Sequence, residues 1–150
     1  MMDAEITKSL LPWISKTSKL LGIYVADFFK SRGMDLTREQ LIFLKFLMEK
    51  DGRMQNELAV ITERDKASLT RLVSTLERKG LVERRTDEQD RRINRIYLTE
   101  TGRQTMEEAV PVIREIIENV QKDILEEEIK SAIETIKKVQ ENLGIEESKN

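Results

Sequence analysis

A 150-residue chain with neither cysteine nor histidine cannot form a disulfide, a thiolate metal site or a histidine acid–base centre. Charged residues make up 36% and aromatics 5%, with a formal net charge of −2, which fits a helix-rich protein with one ordinary core and no cofactor or metal site. No apolar run approaches the roughly 18–20 residues of a membrane span, and no basic segment leads into an apolar one at the N-terminus, so a cytoplasmic protein is expected.

From about Asp3 to Ser31, the apolar residues Ile6, Leu10, Ile14, Leu21, Tyr24 and Phe28 recur with a helical period. Trp13, Leu20 and Val25 lie beside them. Pro12 removes one backbone donor and predicts a kink or break near Leu11. Arg32-Gly33 ends the segment. Its apolar surface exceeds what one small domain uses, so part of it is expected to bury against a second chain.

The next helix starts at Leu36-Thr37-Arg38-Glu39-Gln40. Thr37 as N-cap with Gln40 at N3 makes a capping box, and Leu36 with Leu41 a hydrophobic staple. Leu41, Leu44, Leu47 and Met48 supply its buried stripe, and Gly52 stops it. A short helix is predicted from about Met54 to Ile61, with Leu58, Ala59 and Ile61 inward. Thr62-Glu63-Arg64 links it to a further helix over Asp65 to Lys79. Two short helices joined by so tight a turn have the form of a helix-turn-helix.

In that further helix Leu69, Leu72, Val73 and Leu76 share one face, Asp65 is the N-cap and Gly80 closes the helix. The outward row of Ala67, Ser68, Thr70, Arg71 and Ser74 is short or basic and holds no acid to repel a phosphate. Leu81 to Thr86 and Arg95 to Thr99 have strand composition, with a polar tip over Asp87 to Arg92 between them. They form a β-hairpin, and an arginine at its tip can enter a narrow minor groove. Asp90 is placed to pair with a nearby arginine and hold the tip in shape.

Thr99 caps a helix that opens at Glu100-Thr101-Gly102, and a helical period then runs to Asn142 with a break near Glu126. Pro111 falls early in it and is a candidate bend. Val110, Ile113, Ile117, Val120 and Ile124 form one stripe; Ile129, Ile133, Ile136 and Val139 form another. With the N-terminal helix these make a dimerisation layer or, alternatively, a monomer's core.

The charge is unevenly placed. From Arg64 to Arg95 there are ten basic residues against six acidic ones, a local charge of +4 that leaves −6 for the remainder. Such a basic centre in an acidic frame steers one face toward a polyanion.

Taken in order, the stretches Leu36-Thr37-Arg38-Glu39-Gln40, Asn56-Glu57-Leu58-Ala59, Asp65 to Val73, Leu76 to Arg84, Asp90-Arg91-Arg92 and Leu98-Thr99-Glu100-Thr101-Gly102 resemble the MarR family of winged-helix transcription regulators over nearly the whole chain. The resemblance implies a mainly α fold with a small β-hairpin wing. Residues 35–103 would form the winged helix-turn-helix, and 1–34 with 104–150 the dimerisation helices.

It further implies a homodimer, acting as a repressor, with a recognition helix in each of two successive major grooves of double-stranded DNA. The two-fold axis predicts a pseudo-palindromic operator with half-sites about 34–36 Å apart. Ser68, Thr70 and Arg71 would contact base edges or nearby phosphates, with Arg71 suited to guanine. Lys66, Arg84 and Arg85 would touch phosphate, and Ala67 and Ser74 complete the contacting face. The family's wing pattern carries over to Asp90 and Arg92, with Arg91 a second candidate for the minor groove. Many relatives are released by small aromatic or anionic effectors, for which Trp13, Tyr24, Phe28 and Arg32 are candidate linings here. A helical dimer that binds protein without DNA is the rival reading. An enzyme is not expected, since the acids lie in solvated helical runs.

Overall fold

The computed structural model describes residues 3–144. Its elements are α1 (Ala4–Lys8), α2 (Leu10–Ser31), α3 (Arg38–Glu49), β1 (Arg53–Met54), α4 (Gln55–Ile61), α5 (Lys66–Arg78), β2 (Val82–Thr86), β3 (Asn94–Leu98), α6 (Glu100–Val120) and α7 (Glu126–Asn142). The described residues divide into two compact units, one ending at Val112 and the other starting at Ile113. That boundary falls inside α6 and groups α1 and α2 with the central elements.

Within the first unit, Phe29, Phe43, Leu44, Leu47, Leu58, Leu69, Val73, Leu76 and Ile96 are fully enclosed. They come from α2, α3, α4, α5 and β3, so a single core lies beneath the sheet. Met48, expected in the α3 stripe, is 42% exposed, and Phe43 takes the inward place. The break in the N-terminal helix comes at Ser9, between α1 and α2. Pro12 therefore sits in the first turn of α2, where a missing N–H costs no intrahelical bond.

Polar ties fix the helices to one another. Thr37 and Gln40 form the predicted capping box at the start of α3. Gln40 is the buried polar residue of the core, and its Oε1 accepts from both Thr37 N at 3.2 Å and Lys79 Nζ at 2.9 Å. Lys79 Nζ also donates to the Asp35 carbonyl at 2.7 Å, so the end of α5 is held to the start of α3. Arg38 donates to the Ser18 carbonyl at 2.7 Å, which ties α3 to α2.

The sheet has order β1-β3-β2 and is antiparallel throughout. The hairpin pairs Val82 with Leu98, Arg84 with Ile96 and Thr86 with Asn94. The two-residue β1, too short to show a period, adds Arg53 opposite Ile96. The Asp51-Gly52 turn anchors the hairpin's root. Asp51 Oδ1 accepts from Leu98 N at 2.9 Å, Asp51 Oδ2 from Arg103 at 2.6 Å, and the Gly52 carbonyl from Arg95 at 2.9 Å. Gly52 has φ +68, and a Cβ there would stand 2.7 Å from the Tyr97 ring, so neither its conformation nor its surroundings admit a side chain.

In the second unit, α6 finishes at Val120 and α7 begins at Glu126 after a short break. Helix α6 runs through Pro111. Of the predicted apolar stripes here, Ile117, Val120, Ile124, Ile133 and Ile136 are exposed and Ile113, Ile129 and Val139 half-buried. No helix among the described residues is long and apolar enough to cross a membrane.

Candidate nucleic-acid interface

Helix α5 is built to present its outward row in one fixed orientation. Asp65 Oδ1 accepts from Ser68 N at 2.8 Å, satisfying one of the amides that a helix start leaves without a partner. At the other end Gly80, at φ +72, donates to the Glu77 carbonyl, and Leu81 N donates to the Leu76 carbonyl. This pair of bonds is the Schellman closure that a left-handed C′ glycine permits. Leu69, Val73 and Leu76 pin the inner face.

On the outer face the residues separate by what their polar atoms already do. Thr70 Oγ1 donates to the Lys66 carbonyl at 2.8 Å and accepts from Gln55 Nε2 at 3.2 Å. The Thr70 hydroxyl, expected at a base edge, is thus engaged within the protein and braces α4 against α5. Ser68 Oγ accepts from Arg64 at 2.8 Å. Lys66, Ala67 and Arg71 are exposed and Ser74 is half-buried. Arg71 makes no side-chain hydrogen bond or ion pair among the described residues. It is the free guanidinium in the middle of the row.

The hairpin corrects one part of the sequence reading. Successive strand residues point to opposite faces, so Arg84 and Arg85 cannot both face outward. Arg84 lies on the α5 side, 3.3 Å from the Glu77 carboxylate, with its Nε enclosed and without a hydrogen-bond partner. It ties the wing to α5 through Glu77, with its side chain 29% exposed. Arg85 is on the other face, paired with Glu83 and stacked 4.5 Å above the Tyr97 ring.

At the tip, Asp90 accepts from Arg92 at three points: its backbone N at 3.0 Å, Nε at 3.1 Å and a terminal nitrogen at 3.2 Å. The Asp90–Arg92 pairing fixes the Arg92 fork, whereas Arg91 is exposed and has no side-chain partner among the described residues. A second carboxylate, unnoticed in the sequence, does more. Asp87 accepts from Arg95 Nε at 2.6 Å and from the backbone N–H groups of Gln89 and Asp90. The Arg95 guanidinium first, then the Asp90 N–H, hold the Asp87 carboxyl below the usual carboxylate range, and Asp87 in turn raises Arg95. Asp90 is likewise lowered, chiefly by the Arg92 side chain.

A carboxylate lowered in the folded state supports structure above its unfolded pKa and loses that contribution as pH falls through the folded value. The tip is therefore expected to keep its order down to the ordinary carboxylate pKa of about 3.9 and to loosen only below it. Carboxyl NMR titration of Asp87 and Asp90 reads this directly. Midpoints at or above the ordinary value would show that these contacts do not hold in solution.

A second feature lies on α2, where Leu20, Ile23, Tyr24, Asp27, Phe28 and Ser31 line an open groove of about 510 Å³. Tyr24 and Phe28 are ring neighbours at 5.8 Å, and the Arg32 guanidinium lies 4.9 Å over Phe28. Of the four residues expected to line an effector site, Tyr24 and Phe28 line this groove and Arg32 stacks on Phe28 beside it. Trp13 stands apart, 65% exposed and outside the groove lining. Among the described residues no cluster of three or more acidic side chains could hold a metal ion.

The sequence model of the MarR family matches residues 34–93. The HTH-type transcriptional regulator BilQ of Clostridium symbiosum is 32% identical over 99 residues, covering 66% of this chain and 69% of that protein. The uncharacterised HTH-type regulator YybA of Bacillus subtilis is 32% identical over 72 residues, and there the match spans only about half of either chain, 48% of each. Among solved structures, the S. aureus MepR–DNA complex superimposes with a TM-score of 0.80 at 25% identity, covering 89% of this chain and 98% of that one.

Proposed function

Because the chain belongs to the MarR family of transcription regulators, we propose that it binds double-stranded DNA as a homodimer on a pseudo-palindromic operator. The observation that carries this reading is the exposed, unpartnered Arg71 on a helix capped and closed at both ends. A cation left without a carboxylate on so rigid a platform is matched to an anionic or acceptor-rich surface. The guanine O6/N7 edge fits its planar fork. Arg91 and Arg92 at the wing tip would follow the adjacent minor groove. A dimer seated across a promoter would exclude polymerase, so its action is repression. A small aromatic or anionic molecule held at the α2 groove by Tyr24, Phe28 and Arg32 would change the spacing of the two recognition helices and release the DNA.

Duplexes enriched from a random pool by the protein itself, tested by fluorescence anisotropy in stepped salt, examine the proposal. Binding should weaken steeply with salt, since phosphate contacts release counterions. Arg71→Ala should cost about 1–3 kcal/mol on the enriched duplex and relax preference at one position. Equal weakening on every sequence would make Arg71 a phosphate contact, and no salt-dependent binding of any duplex would overturn the reading.

A further inference from the structure

Of the ten basic side chains between Arg64 and Arg95, five face a carboxylate: Lys79, Arg84, Arg85, Arg92 and Arg95. Among the described residues the others have no acidic partner, and two of them are nonetheless held by a hydroxyl: Arg78 by Thr75 Oγ1 at 3.2 Å, in the last turn of α5, and Arg64 by Ser68, at its start. The Arg64 backbone N donates to the Ala59 carbonyl at 2.9 Å, at the end of a turn that takes Glu63 to φ 52. Its guanidinium donates one N–H to Ser68 Oγ at 2.8 Å. A guanidinium carries five N–H donors in a planar fork, so the rest remain available. Arg64 precedes the helix and reaches Ser68 through that hydrogen bond, while Ser68 and Arg71, three apart within α5, share one strip of the helix. Two guanidinium groups therefore flank the serine, one held in place and one free.

Resting on the DNA-binding reading above, we propose that Arg64 contacts a backbone phosphate at the rim of the major groove, and that Ser68 is a positioning residue that aims it. The placement favours phosphate over a base. Arg64 precedes the N-cap, at the outer edge of the first turn, whereas Arg71 lies in the second turn, seven residues further along the exposed row. The fork suits a phosphate held by two N–H groups. A serine whose hydroxyl already accepts from Arg64 has less to offer a base edge than the arginine it supports.

The test is a double-mutant cycle of Arg64→Ala and Ser68→Ala, read as salt-stepped anisotropy on an enriched duplex and on a scrambled one. Arg64→Ala should weaken binding on the order of tenfold on both duplexes and reduce the slope of log K against log salt by about 0.9, one phosphate's share. Arg64→Lys should keep most of that slope while losing affinity. Ser68→Ala should weaken binding when Arg64 is present and change nothing in the Arg64→Ala background. Thermal melting by circular dichroism confirms that each variant is folded. An unchanged slope and affinity in Arg64→Ala would overturn the proposal, as would a loss confined to the enriched duplex, which would make Arg64 a base contact. Equal Ser68→Ala losses in both backgrounds would refute the positioning role. Failure of the parent protein to bind any duplex would instead defeat the broader DNA reading, a result recognisable before any variant is made.

Discussion

Replacing Ile133 and Ile136 together by glutamate will leave the protein monomeric and weaken its hold on a two-half-site duplex by about a hundred- to ten-thousandfold. Both side chains are 49% exposed on α7, and Ile117, Val120 and Ile124 are left equally open on the preceding segment. Within the unit that starts at Ile113, Ile116 is the one buried apolar residue among those described. Helices of this length owe most of their stability to a covered apolar face and little to propensity. Burying an isoleucine contributes about 1.5–3 kcal/mol, so a stripe of them left in water is a large unused stabilisation that a second copy would supply. Two carboxylates in that stripe would have to be desolvated on association. The functional loss follows from valency: once one winged helix is bound, the second meets its half-site at high effective concentration, and a monomer forfeits that gain. Light scattering and anisotropy on the enriched duplex check both halves. A double variant that stays dimeric places the interface elsewhere.

What the sequence disclosed depended on how local each cause was. The Asp65 cap, the Thr37–Gln40 box and the Gly80 closure are set within five residues, and each forms as expected. The wing and the helix order were legible because strand and helix periods change abruptly at Gly80 and Thr99. Pro12 was read as a break because proline breaks helix interiors; in fact α2 starts two residues before it, where proline is tolerated. Treating Arg84 and Arg85 alike ignored the two-residue period of a strand, a signal that was available. The Asp51 hub was not available: its carboxylate meets Leu98 N and Arg103 across 47 and 52 residues. The Gln55 amide that occupies Thr70 comes from fifteen residues away, so no rule of local spacing shows which hydroxyls of α5 are free.

Gly102→Ala will destabilise the winged-helix unit, although helix propensity alone predicts the reverse. Gly102 stands in the first turn of α6 with no positive φ, and alanine there would gain up to about 1 kcal/mol from propensity. Its added Cβ, however, would stand 2.1 Å from the Leu81 carbonyl oxygen, 3.0 Å from that carbonyl carbon and 3.2 Å from Leu98 Cδ2. The obstacle is backbone held from several sides. Leu81 O accepts from Thr99 N at 3.1 Å and Leu81 N donates to the Leu76 carbonyl. Thr99 Oγ1 donates to the Gly80 carbonyl and accepts from Gly102 N. Opening room for a methyl group means shifting α6 off this junction or turning the carbonyl out of its bond. Overpacking costs about 1–3 kcal/mol and occasionally more, and a lost buried hydrogen bond adds about 1. With the propensity gain subtracted, the net expectation is a loss of about 1–3 kcal/mol, or roughly 2–12 °C in Tm for a chain of this size. Because the same junction joins the end of α5 to the root of the wing, DNA affinity should fall in step as the temperature is raised. Gly33→Ala is the matched control: at φ +75 with nothing within 4 Å of its Cβ, it should cost only the left-handed penalty of about 1–2 kcal/mol. A Gly102→Ala melt equal to or above the parent's would show that α6 does not bear on the Leu81 carbonyl.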